Sequence, residues 1–398
     1  MNETPLTCLD LWFRAGSCFE RPGEEGIAHF LEHMVFKGSY CHGPGDFDRK
    51  IEALGGSSNA ATGFDDVHFY VLIPPNVVAP ALDLLLELVL RPALLPDAFD
   101  LEREVVLEEI AQQNDQPEEK VFQKLLSTCW KNHAYGRPIL GFEKSLKENT
   151  PEQMRKFHNR LYTAKNCCLS IAGAIPKGIE KLIENSLLSE LNRKAVDNVN
   201  DIEDFKNIFR RGHHEHRIAR LESARLLMSW SIAPAQEQLV IMGADIATSL
   251  FAEGRRSRLV QRLREELQIV ESIDMDVTSL EKGGLVLLEA YCKEEDLEKV
   301  KNEIHKTLKE SLISPLKEQE INRACHLVRN GLCFNLEAAI QVAGIAGSQT
   351  LWNRPQSLLK PLKHINYWTS QKLIDEMFIQ LQPEESCTLI TKPIQIKS

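Results

Sequence analysis

The sequence predicts an α+β protein built from two structurally related domains, each an antiparallel sheet flanked by helices. The main observation is a pattern that runs twice: strand, helices, strand, then a helix pair broken by proline, once in each half of the 398 residues. Length agrees, since a chain of this size holds about two domains at roughly 100 to 200 residues each. Composition agrees as well. Hydrophobic residues make up 43% and charged residues 26%, enough apolar content to fill cores and too much for a disordered chain.

In the first copy the strand Cys8 to Arg14 leads to a helix around His29 to His33, then to a helix from Phe47 to Leu54 and a strand from Asp66 to Ile73. Two helices follow, Val77 to Leu90 and Asp97 to Gln113, interrupted at Pro92 and Pro96 because proline cannot continue a helical ladder. In the second copy the strand Arg225 to Ile232 precedes helices Gln238 to Phe251 and Arg258 to Leu267. The strand Gly284 to Cys292 comes next, then helices Glu294 to Leu312 and Leu316 to Asn330 on either side of Pro315. The boundary is expected in a polar linker, 191–217, between a first domain at 1–190 and a second at 218–398. That linker contains His213-His214-Glu215-His216, whose spacing does not suit one helical face, so it is read as hydrated chain and not as a metal site.

The chemistry concentrates in His29-Phe30-Leu31-Glu32-His33. Residues four apart share a helix face, so the two imidazoles can converge on one ion, and Glu32 stands beside that ion as a base for a water. Zinc suits such donors, and a catalytic zinc takes three protein ligands and leaves one position open. The inverted H-x-x-E-H order is itself a known zinc-peptidase motif. The third ligand is sought in the acidic helix around Leu101 to Ile110. There Glu102 and Glu109 lie seven apart on one face, on a stripe shared with Val105 and Val106, while Glu104 and Glu108 fall off it. A buried carboxylate needs a partner, which a metal or a ligating imidazole supplies. Glu109 is therefore assigned as the ligand and Glu102 as its support.

The run Gly26 to Gly38 around these residues resembles the signature of the pitrilysin, insulin-degrading enzyme and mitochondrial processing peptidase family of inverted zinc peptidases. The resemblance extends to Trp12 to Ser17, to Gly55 to Thr62 and to Tyr135 to Gly141. Family members carry the ligand glutamate about seventy-six residues beyond the second histidine, the separation of His33 and Glu109 here. The resemblance implies a Zn2+ metalloendopeptidase acting on unfolded peptides or presequences, with a two-domain chain forming half of a clamshell chamber. It also implies that Asn59 and Ala60 bind the substrate backbone at a sheet edge between Asn59 and Ile73, where an extended peptide adds as a strand. The bare residues leave another reading open, in which Gly55 to Thr62 is only a turn before a strand.

Fully active relatives place an arginine and a tyrosine in the second domain. Arg264 matches the arginine, but Glu271 stands where the tyrosine is expected. The implied arrangement is a zinc-carrying subunit whose family partner supplies the pair; a homodimer is the alternative. The family's opening strand pair is absent before Leu6, so either an edge element is lost or the start lies upstream. A non-catalytic scaffold or peptide-binding subunit is the alternative function, and the complete ligand set speaks against it.

Other classes are excluded more simply. A net charge of −10 gives no basic face for nucleic acid. No apolar run approaches the roughly 18 residues of a membrane span. The start has neither the basic flank nor the apolar segment of a signal peptide, which makes the cytoplasm the expected location. Ten cysteines without C-x-x-C pairs read as small apolar residues in a reducing compartment.

Overall fold

A computed structural model describes residues 6–191 and 209–394. The first half runs β1 (Thr7–Phe13), α1 (Ile27–Val35), α2 (Asp46–Ala53), β2 (Ser57–Thr62), β3 (Val67–Ile73), α3 (Val78–Leu90) and α4 (Pro96–Asp115). It continues through α5 (Pro117–Cys129), α6 (Glu143–Glu148), α7 (Pro151–Leu161), β4 (Cys167–Gly173) and α8 (Ile179–Glu184). The second half runs β5 (Gly212–Ile218), β6 (Ala224–Ile232), α9 (Gln238–Phe251), β7 (Ser272–Thr278) and β8 (Gly284–Cys292). Then come α10 (Leu297–Ile313), α11 (Glu318–Phe334), α12 (Ala339–Leu351) and β9 (Cys387–Pro393), with a π-helical segment at Val260–Glu266.

The chain forms two compact α+β units, and they are not the contiguous halves 1–190 and 218–398. The first unit takes 1–112, 137–201 and 334–358; the second takes 113–136, 202–333 and 359–398. The polar linker expected at 191–217 is corrected in part. Residues 192–208 lie outside those described, but Gly212–Ile218 is a strand, β5, that pairs in parallel with β9. The four residues His213 to His216 alternate across that strand and do not converge.

The first unit has an antiparallel sheet in the order β2-β3-β1-β4. Both faces of β1 are covered, so every residue of it is buried. Leu9, Leu11 and Phe13 join Val67, Phe69 and Val71 of β3 in one core with the apolar faces of α1, α3, α4 and α7. Cys8, Asp10 and Trp12 point the other way, toward α12. The approach of α12 is close enough that a Cβ on Gly347 would lie 2.5 Å from Trp12 Nε1. β2 is an edge strand with one neighbour, β3, and its residues alternate between exposed and half-buried.

The second unit has a five-stranded sheet, β5-β9-β6-β8-β7, antiparallel apart from the parallel β5–β9 pair. Its core joins β6 and β8 to α9 and α10 through residues such as Trp230, Leu250, Phe251 and Ile304. The early helix α5 is tied to this unit by Arg225. That buried guanidinium contacts Glu118 of α5, donates to Tyr291 Oη at 3.1 Å and stacks 4.3 Å from the Tyr291 ring.

Candidate metal centre

α1 is a nine-residue helix whose sequence divides cleanly by face. Ile27, Phe30, Leu31, Met34 and Val35 are buried in the core, leaving His29, Glu32 and His33 on the side that faces α4 and β2. α4 begins at Pro96, a residue suited to a first helical turn, and buries Phe99, Glu102, Val106 and Ile110 along one stripe. Glu102 lies on this stripe as expected. Val105 does not: it is 51% exposed, because a helix face only about 100° wide cannot hold two consecutive residues equally.

His29 Nε2 and His33 Nε2 stand 3.8 and 3.5 Å from Glu109 Oε2. These separations are too long for good hydrogen bonds. They are close to the roughly 3.3 Å that separates donors around a tetrahedral ion with bonds near 2.05 Å. His29, His33 and Glu109 form the one such group among the described residues, with donor atoms all within 4.8 Å of one another.

The donors are also in a suitable state. Burial, and then neighbouring His33, lowers the His29 pKa from 6.5 to about 4, so the imidazole is neutral and keeps a lone pair. His29 Nδ1 is buried without a partner, leaving Nε2 as the working atom of that ring. His33 Nδ1–H donates to Glu102 Oε1 at 2.9 Å, which fixes the tautomer with Nε2 free for the ion. Lys37 Nζ, 2.8 Å from Glu102 Oε2, holds that carboxylate from the other side. The residues fit a divalent metal of zinc type.

Glu32 accepts a hydrogen bond from the Thr62 hydroxyl of β2. Burial raises its pKa above the ordinary carboxylate value, and the Thr62 contact opposes that rise, as does nearby His33. A half-buried carboxyl with a raised pKa suits a proton acceptor. Beside it opens a cavity of about 340 Å³ lined by Glu32, His33, Lys37, Ser58, Asn59 and Glu102. Asn59 and Ala60 thus lie on the edge strand next to the metal residues; the Asn59 side chain accepts from the Ala60 N–H at 2.9 Å. Arg264 belongs to the second unit, where it pairs with Glu265, and Glu271 accepts from Ser223 Oγ at 2.9 Å.

Sequence reasoning did not find Thr62 or Lys37. Lys37 was within reach, since it lies four residues after His33, about one turn further along the chain. Thr62 reaches the site through a tertiary contact that carries no sequence period. The second copy offers no equivalent carboxylates. Six and thirteen residues from the start of α11, where α4 has Glu102 and Glu109, stand Ala324 and Gly331.

Comparison with known proteins agrees with this picture. Residues 2–143 match the family model described as insulinase (peptidase family M16), and residues 149–328 match the peptidase M16 inactive domain. An uncharacterized zinc protease of Rickettsia bellii is 28% identical over 326 residues, 81% of this chain and 77% of that protein. One from Bacillus subtilis is 25% identical over 334 residues, 83% of this chain and 79% of that protein. The fold superposes on a solved protease structure from Helicobacter pylori with a TM-score of 0.86 at 22% identity, covering 98% of this chain and 95% of that one. The chain belongs to the M16 peptidase family, with a catalytic-type first domain and an inactive-type second domain.

Proposed function

We propose that the protein is a zinc-dependent endopeptidase that hydrolyses internal bonds of unfolded peptides or presequences. The observation that carries this reading is the convergence of His29, His33 and Glu109 next to a half-buried carboxyl group, Glu32, that is held by Thr62. The three donors would hold the ion, which when bound makes water more acidic and polarises a carbonyl. Glu32 takes the proton of the attacking water and passes it to the leaving amine. Thr62 orients the Glu32 carboxylate, while Glu102 keeps His33 in its tautomer. The free edge of β2 offers backbone groups to an extended peptide, with Asn59 and Ala60 beside the cavity.

On this reading the chain is the zinc subunit of a dimeric chamber in the cytoplasm. Arg264 is the arginine retained for substrate, and the complete arginine and tyrosine pair comes from a partner subunit of the same family. The local engagement of Glu271 with Ser223 supports a need for that partner, and a homodimer is the other arrangement. Turnover by the isolated chain equal to that with candidate partners would reject the split site.

The test of the chemistry is Glu32→Gln. The variant is expected to bind zinc as the wild type does and to lose about 10²- to 10⁴-fold in cleavage of a quenched peptide library. Undiminished cleavage would overturn the assignment.

A further inference from the structure

We infer that Glu20 is a positioning residue for the metal centre, an assignment that rests on the zinc-peptidase reading. α1 follows the N-cap residue Gly26, which has no side chain to cap the helix, and its first turn is buried. The N–H groups there have no partner within the helix, and leaving them unpaired in a buried setting is costly. Glu20 Oε1 accepts from both the Gly26 and the Ala28 N–H, each at 3.0 Å.

The carboxyl group is itself well anchored. Glu20 is 6% exposed and follows the turn Ser17–Phe19, with its N–H on the Ser17 carbonyl at 3.3 Å. Its own carbonyl faces Arg137 Nη2 at 3.5 Å. Arg137 opens the segment that presses on the same helix end. Gly26 has φ 92° and Gly141 has φ 76°, and a Cβ on Gly141 would lie 2.4 Å from Gly26 Cα. One support is polar and the other steric, and both act within one turn of His29.

The apolar face of α1 fixes how deep the helix sits, but apolar contacts are non-directional and specify its axial position weakly. Hydrogen bonds to the first turn specify it directly. His29 and His33 ride on α1 whereas Glu109 rides on α4, so a slide of α1 opens the donor set. Glu20 acts on metal geometry through the helix and touches neither metal nor substrate.

The test uses the full chain loaded with Co(II) as a spectroscopic stand-in for zinc, with Zn(II) affinity measured by chelator competition and thermal midpoints recorded in parallel. Glu20→Gln keeps a carbonyl oxygen for both N–H groups and is expected to match the wild-type spectrum and affinity. Glu20→Ala is expected to shift the Co(II) bands and to weaken zinc by about 10-fold or more, the scale of lost support around metal ligands. Thr369→Ala, which removes the cap of the short helix Ser370–Lys372 in the second unit, is expected to lower the midpoint without moving the bands. If Glu20→Ala does not fold, Glu20→Asp replaces it, since the shorter side chain keeps the carboxyl group but not the reach.

An unchanged spectrum and affinity in Glu20→Ala, or in Glu20→Asp when that variant stands in, overturns the proposal. So does a Thr369→Ala protein whose bands move equally. A wild-type chain that binds neither ion overturns the underlying zinc reading before any Glu20 variant is compared.

Discussion

At the scale of single residues, the candidate metal centre shows how much depends on groups outside the set of His29, His33 and Glu109. Glu102 joins His33 to Lys37, so Glu102→Ala leaves a half-buried imidazole N–H and an ammonium without their carboxylate. Zinc affinity is expected to fall about 10- to 100-fold, read by chelator competition. His158 makes a second prediction. It is buried, donates from Nε2 to the Val89 carbonyl at 2.9 Å, and burial lowers its pKa to about 4. The unfolded chain binds this proton near pH 6.5 and the folded chain only near 4, so stability is full above 6.5 and declines as pH falls toward 4. The upper bound for that loss is about 3 kcal/mol, and denaturant titrations of His158→Gln should show a shallower decline over the same window. The five acidic and imidazole residues that the structure brings together at the candidate metal centre were legible in the sequence because helical spacing places them on facing stripes. Glu20 and Thr62 were not, because the contacts that recruit them arise only when separate elements pack.

The same division holds for elements. Long periodic helices and apolar strands were legible, as with α3, α10, β6 and β8. Four strands were missed or left undefined: β4, β5, β7 and β9. β5 reads Gly-His-His-Glu-His-Arg-Ile, polar nearly throughout, and only pairing with β9 makes it a strand. α12 was missed for a related reason. Its Ala and Gly residues give a weak apolar signal, yet their small size is what lets the helix approach β1 and β4. Gly347→Ala separates the two effects. Alanine improves helix propensity by about 1 kcal/mol, but the new methyl must displace the buried Trp12 ring, and overpacking costs about 1 to 3 kcal/mol. Net destabilisation by chemical denaturation is the expected sign, and stabilisation would show that the interface yields.

At the scale of the whole molecule, the presence of two α+β units was legible but their wiring was not. Repetition of an element order leaves a trace in sequence, whereas the exchange of α5 and α12 between the halves depends on which sheet face each one covers. A chain ending after residue 190 therefore lacks the cover of its own first sheet. Such a fragment is expected to expose Cys8, Trp12 and Ala172 and to be digested by protease at concentrations that leave the full chain intact. No described helix is long and apolar enough to cross a membrane. The placement of α12 also sets a timetable for birth on the ribosome. β4 ends at Gly173 and α12 at Leu351, so at about 5 to 20 residues per second the first sheet waits roughly 10 to 35 s for its last helix. During that interval α1 and its histidines are already synthesised while one sheet face remains bare, so the nascent first unit is expected to need chaperone cover until α12 has been made.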